Sequence, residues 1–292
     1  MSTGVRPITS VMWTLARASN LPTVWSNVLA GWLLSGQGWH AGVGWALAGG
    51  ALAYAGGCTL NDAFDARWDR RHRPGRPIPA GLISERAVWI LGGVELAAGV
   101  GCLLAAGCVW PLVMALVLSI LIYDWIHKRS PWAVIPMGLC RVFLGWAAAS
   151  MAGSWWPPDS GVVLWLSALF AYIMGLTLVA RGEAVGGRVP WSGLVLVMMP
   201  LVGTWWFNRL ERADFRDFLF AAFLFGLGAA HVWGRLTHRA DPGRVGAAVA
   251  KMLAGIVVVD ALFIAQLKLE WAAGWAVLLA ASLLWQKRVA AT

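Results

Sequence analysis

What this chain can fold into is decided first by where its charges are not. Blocks of about 20 predominantly apolar residues follow one another, and the short connections between them carry most of the lysine and arginine. In hydrocarbon every backbone N–H and C=O must find a partner within the spanning structure, so only helices and closed barrels cross a bilayer. A barrel would show short alternating segments, whereas these blocks are long and continuous. The expected fold is therefore all-α: a polytopic transmembrane bundle of about nine to ten helices, forming a single domain over residues 1–292. Spans are placed near 20–36, 41–64, 86–106, 108–125, 132–152, 161–181, 189–208, 217–236, 248–267 and 271–286. Composition agrees, with 59% hydrophobic and 13% charged residues, against about 25% charged in soluble domains.

The connections also orient the chain. Arg67, Arg70, Arg71, Arg73, Arg76 and Arg86 crowd one loop, and the connections near Lys128 and Arg129, near Arg181 and Arg188, and from Arg235 to Lys251 are basic too. The intervening turns near 37–40, 106–108 and 153–160 hold no lysine or arginine. That alternation predicts basic loops and both termini in the cytoplasm for ten spans. The connection at 209–216 runs against it, with Arg209, Arg212 and Arg216 beside Glu211, Asp214 and Asp217. A net charge of +9 raises nucleic acid as a partner, but basic residues wedged between apolar spans act as membrane anchors and as ligands for an anionic substrate. No nucleic-acid role is expected. The start of the chain shows no short apolar core with a cleavage site, so no cleaved signal is expected. Cys58, Cys102, Cys108 and Cys140 lie in apolar surroundings without a CxxC pair and are expected to pack rather than bind metal.

One constellation carries chemistry. Asn61-Asp62-Ala63-Phe64-Asp65-Ala66-Arg67-Trp68-Asp69 closes the second span. Asp62, Asp65 and Asp69 stand at i, i+3 and i+7, which places three carboxylates on one helical face. Like charges so close, beside a bilayer, require a cation. Two are on offer: the arginines that follow, or a divalent metal such as Mg²⁺, which favours a few carboxylates together with water and phosphate oxygens. The next stretch, Arg70 to Gly81, is stiffened by Pro74, Pro77 and Pro79, and its arginines suit bidentate contacts to phosphate. Without a ligand, the same residues are a charged loop held by Asp–Arg pairs.

The pattern of Asn61 to Asp69, followed by Arg73-Pro74-Gly75-Arg76-Pro77-Ile78-Pro79-Ala80-Gly81, resembles the first aspartate-rich motif and trailing loop of the UbiA superfamily of intramembrane prenyltransferases. The resemblance implies a helical bundle around a central cavity open to lipid. It also implies Mg²⁺ held by Asn61, Asp62, Asp65 and Asp69, and an isoprenyl diphosphate beside Arg73 and Arg76. Tyr123-Asp124-Trp125-Ile126-His127-Lys128 is similar to a family element whose lysine reaches the diphosphate, which brings in Tyr123 and Lys128; by itself Lys128 is an interfacial anchor. Arg17 and Asn20 stand where the family's first helix places polar pocket residues, and otherwise act as an anchor and a helix cap.

The chain departs from the family at the sixth span. A second acidic motif is usual there, and this sequence offers Arg181-Gly182-Glu183, with no aspartate between Asp159 and Asp214. Two outcomes follow. Glu183 holds a second metal, or Arg181 replaces it by touching the diphosphate, and Asp65, Asp69, Lys128, Arg181 and Glu183 form the catalytic set. Otherwise the site binds an isoprenoid diphosphate without ionising it, as a carrier or scaffold would. As an enzyme, the chain would transfer an isoprenyl group from a prenyl diphosphate to a lipophilic acceptor, aromatic or hydroxylic, in a lipid-walled pocket that excludes water. Arg141 and Asp260 lie inside apolar spans, where charges are functional candidates; Arg141 is assigned to the substrate pocket, and Asp260 has no evident partner. A solute transporter is disfavoured, because such sites sit near the bilayer midplane and this acidic cluster lies at a helix end.

Overall fold

The structure, a computed structural model, describes residues 7–36, 38, 41–152, 156, 158–184, 191–211, 222, 225–226, 228–229 and 242–287. Among the described residues there are ten α-helices and no strand. They are α1 (Ile8–Leu15), α2 (Leu21–Leu34), α3 (Val43–His72), α4 (Glu85–Ala105), α5 (Trp110–Ile126), α6 (Val134–Ala149), α7 (Ser160–Ala184), α8 (Trp191–Glu211), α9 (Pro242–Leu267) and α10 (Leu269–Trp285). The helical bundle and its helix number agree with the expectation, with one difference in membership. Short α1 precedes the first expected span, and the expected span at 217–236 falls mostly outside the described residues. Five segments are long and apolar enough to cross a membrane: Val43–His72, Glu85–Ala105, Pro131–Ala149, Ser160–Arg181 and Gly246–Leu267. The chain is an integral, multi-pass membrane protein.

Helix ends follow local chemistry. Proline stands in the first turn of α2 and of α5, where no intrahelical N–H bond is lost. Gly36 and Gly107 take positive φ just past α2 and α4, the left-handed step that turns the chain out of a helix. Ser84 caps α4, its Oγ accepting from Ala87 N at 3.2 Å, with Glu85 in the first turn. The second expected span ends later than its apolar block suggests. α3 runs on through the aspartates to His72, placing Arg70, Arg71 and His72 against the negative end of its dipole, and stops before Pro74-Gly75.

α3 and α4 approach closely through small residues. A Cβ on Gly56 would lie 2.6 Å from Leu96 N, and one on Gly99 would lie 2.6 Å from Ala53 N. In lipid, such contacts replace the hydrophobic drive that helices lack there. A small apolar cluster of Val11, Leu15, Ala63, Ala66, Ile78 and Val88 then pins α1 and the loop after α3 against the acidic end of α3.

The interior also holds a polar network. Asp260 on α9 is fully buried and accepts from Ser26 Oγ, from Asn27 Nδ2 at 2.7 Å and from Trp165 Nε1 at 2.9 Å. Trp275 Nε1 donates to Ser26 Oγ at 2.8 Å. Arg141 donates to Asn27 Oδ1 and Thr23 Oγ1, each at 2.9 Å, with its guanidinium 5.4 Å from the Tyr54 ring. Asn27 thus bridges a buried cation and a buried anion and ties α2, α6 and α9 together, while Trp165 joins α7 through Asp260, giving Asp260 the partners its sequence context did not reveal. Cys58, Cys102, Cys108 and Cys140 are free. Cys108, in the turn between α4 and α5, is pushed up to about 12 by burial, so it stays a thiol. Trp45, Trp110, Trp132 and Trp191 are exposed, as interfacial tryptophans would be.

Candidate functional site

Because α3 remains helical through its last three turns, Asn61, Asp62, Asp65 and Asp69 share one inward face and are all buried, while Phe64, Arg67 and Trp68 point outward. Cations reach this face from three directions. Arg17 comes from the turn after α1, where it is the one non-glycine residue with positive φ (44°) among the described residues. That left-handed step is costly for arginine, and it turns the side chain back toward α3. Arg17 Nη2 donates to Asn61 Oδ1 at 2.9 Å and lies 3.5 Å from Asp62 Oδ1. Arg76, from the loop after α3, places Nη1 3.4 Å from the same Asp62 oxygen. From the end of α5, His127 Nε2 stands 3.1 Å and Lys128 Nζ 3.2 Å from Asp65 Oδ2. Lys128 also lies over the Trp68 ring at 4.0 Å, which confines its flexible stem.

The remaining expected site residues divide. Asn20 Nδ2 donates to Tyr54 OH at 3.1 Å, deeper along α3, and Tyr123 stacks on His127 with ring centroids 5.1 Å apart. Arg73 is exposed at the end of α3, with its guanidinium 5.7 Å from the Trp68 ring. Arg141 sits with Thr23, Asn27 and Tyr54 rather than on the carboxylates. Arg181 donates to the backbone carbonyls of His127 (3.2 Å), Ser130 (2.8 Å) and Pro131 (3.0 Å), so its charge is directed at the turn after α5. The side chain of Glu183 lies outside the described residues.

Two neighbours were not singled out from the sequence. His127 joins Lys128 on Asp65. Asp124, an acid inside an apolar span, is buried and accepts from Asn61 Nδ2 at 2.9 Å through Oδ1. Its isolation among apolar residues was the available signal.

The acidic face retains free oxygens suited to a hard cation. Asp62 Oδ2 and Asp124 Oδ2 are buried without a hydrogen-bond partner, and the Asp69 carboxylate makes no hydrogen bond or ion pair among the described residues. Buried carboxylate oxygens are seldom left unpaired without a ligand to meet them. No three Asp, Glu, His or Cys side chains converge into a closed cage among the described residues. An oxygen-rich, incomplete site of this kind fits Mg²⁺, which completes its octahedron with water and substrate oxygens.

The profile of the UbiA prenyltransferase family matches residues 22–184, a stretch that takes in α3, the end of α5 and α7. The chain belongs to the UbiA prenyltransferase family. This UbiA chain is 34% identical over 121 residues to the digeranylgeranylglyceryl phosphate synthase of Methanopyrus kandleri, covering 40% of this chain and 44% of that protein. It is 35% identical over 121 residues to the enzyme of the same name from Haloquadratum walsbyi, covering 39% and 41%. It thus spans less than half the length of the curated relatives it matches. Among solved structures it resembles a UbiA homolog from Aeropyrum pernix K1 (TM-score 0.64, 17% identity, 89% of this chain and 98% of that one). It also resembles a UbiA homolog from Archaeoglobus fulgidus bound to GPP and Mg²⁺ (TM-score 0.62, 16% identity, 88% and 97%). At such identities the likeness concerns the fold, and the site stands on its own geometry.

Proposed function

We propose that this UbiA chain is a Mg²⁺-dependent prenyltransferase that moves an isoprenyl group from a prenyl diphosphate to an aromatic or hydroxylic acceptor within the membrane, at its cytoplasmic face. The observation that carries this is the buried aspartate face of α3 met by Arg17, Arg76, His127 and Lys128, with carboxylate oxygens still free. Asp62, Asp65 and Asp69, with Asn61, would hold Mg²⁺, which when bound neutralises negative charge on a departing diphosphate.

The protein's own groups do the rest. Arg17, Arg76 and Lys128, which pair with carboxylates here, become donors to phosphate oxygens once those carboxylates have another cation. Positioned donors at a leaving group are worth most in a water-poor site, where they need no reorganisation. Tyr54 and Tyr123 lie toward the membrane interior from Asp65 and Asp69, where their aromatic faces would border an isoprenyl chain running inward from the diphosphate. Lipid around the bundle excludes water that would intercept an electron-poor allylic carbon. The name shared by the curated relatives, a synthase of a prenylated glyceryl phosphate, favours the hydroxylic class of acceptor.

The test is turnover. Purified protein in lipid nanodiscs, given Mg²⁺, prenyl diphosphates of graded length and both acceptor classes, should release pyrophosphate and form a prenylated product, both lost in Asp65→Ala. Prenyl diphosphate binding with no product across the acceptor panel would instead support a carrier with a non-catalytic site.

A further inference from the structure

We propose that Arg181 is a positioning residue. It clasps the turn 127–131, so that the end of α5, rather than the end of α7, supplies the second wall of the diphosphate site. This role rests on the prenyl diphosphate chemistry proposed above. Arg181 lies in the last turn of α7, yet its guanidinium is committed to three backbone carbonyls some fifty residues earlier: Pro131 O from Nη1 at 3.0 Å, and Ser130 O and His127 O from Nη2 at 2.8 and 3.2 Å.

For His127 O the physical reasons for such a clasp are local to α5, while Ser130 and Pro131 belong to the short turn that follows it. His127 is the cap residue of that helix, and carbonyls at a helix end have no partner within it. They also carry the negative end of the helix dipole, so a cation is favoured there. The flat fork of a guanidinium spans several carbonyls at once, which an ammonium cannot do in fixed geometry.

What the clasp holds matters to the site. The same turn carries His127 and Lys128, whose ring nitrogen and ammonium meet Asp65 at 3.1 and 3.2 Å. A lysine stem is flexible, and Lys128 is fixed at its tip by Asp65 and the Trp68 ring. Among the side-chain donors described, Arg181 alone bonds backbone carbonyls of residues 127–131. At the place where the family usually carries a second acidic motif, this chain has an arginine that builds the opposite wall instead of binding ligand.

The experiment compares the full-length protein with Arg181→Met, Arg181→Lys, Lys128→Ala and the Arg181→Met/Lys128→Ala pair in lipid nanodiscs. Two quantities are read: the Kd of a prenyl thiolodiphosphate with Mg²⁺, by calorimetry, and backbone hydrogen exchange at 127–131. Arg181→Met should speed exchange at 127–131 and weaken binding about tenfold, the scale of one charge-assisted hydrogen bond. Arg181→Lys should fall between it and the parent, and carries the test if the methionine variant does not fold. In the pair, Arg181→Met should cost less than about twofold beyond Lys128→Ala, because residues acting through one group are not additive. Losses that simply multiply would mean that Arg181 meets the ligand itself, and unchanged exchange would mean there is no clasp; either overturns the proposal. If the parent binds no prenyl thiolodiphosphate, the function proposed above fails, while the exchange data still decide the clasp.

Discussion

Replacing Asp260 with alanine removes the acceptor of three hydrogen bonds at once, those from Ser26, Asn27 and Trp165, in the fully buried centre of the bundle. Side-chain hydrogen bonds inside membrane proteins average about 0.6 kcal/mol each, which sets a floor near 2 kcal/mol for the three. The ceiling comes from Arg141. Its counter-charge reaches it through Asn27, and breaking a buried ion pair by removing one partner costs about 3–5 kcal/mol. At roughly 2–4 °C per kcal/mol for a chain of this size class, Asp260→Ala should lower the thermal midpoint by on the order of 5–15 °C. Asp260→Asn keeps an acceptor and should lose less. Adding Arg141→Met to Asp260→Ala should recover part of the loss, because the orphaned cation goes too. The assay is thermal denaturation in one detergent, followed by tryptophan fluorescence and by the monodisperse fraction on gel filtration. An Asp260→Ala midpoint equal to that of the parent, or an Arg141→Met addition that only worsens it, refutes the idea that Asn27 couples these two charges.

Three further outcomes are expected. Asp62→Ala should weaken Mg²⁺-dependent prenyl diphosphate binding and turnover by about a hundredfold or more, the scale of removing one preorganised charge-stabilising group; calorimetry and pyrophosphate release measure it. Chelating divalent cations with EDTA should abolish binding of a prenyl thiolodiphosphate, and Mg²⁺ should restore it, because Asp62, Asp65 and Asp69 repel a diphosphate without a cation between them. Gly99→Ala should destabilise by about 1–3 kcal/mol, since its new methyl group would meet Ala53 backbone at 2.6 Å, while Gly93→Ala, with open space at that position, should be neutral or slightly stabilising in the same melt.

How far the site was legible depended on the kind of signal each residue leaves. Asp62, Asp65 and Asp69 share a face because of helix geometry, which depends only on spacing, and the structure keeps that helix intact to His72. Lys128 was recoverable because it closes the Tyr123–Lys128 element, whose lysine the family resemblance assigns to the diphosphate. Asp124 and His127 fall in the same stretch, but their partners, Asn61 and Asp65, are on another helix, and no local pattern links them. Arg181 shows the opposite difficulty. An arginine standing where the family usually carries an acidic motif suggests a phosphate ligand, whereas its partners are backbone carbonyls, which every residue possesses and no sequence pattern distinguishes.

By itself the sequence determined that this chain lives in a bilayer as a helical bundle with three carboxylates gathered at one helix end. Those properties follow from apolar block length and from residue spacing, both of which act locally along the chain. Only the tertiary structure decided which cations meet which aspartates, that Asp260 and Arg141 are joined through Asn27, and that Arg181 braces a turn. Such pairings are set by how helices distant in sequence pack side by side. In a low-dielectric interior a buried charge must take whatever partner that packing brings within reach.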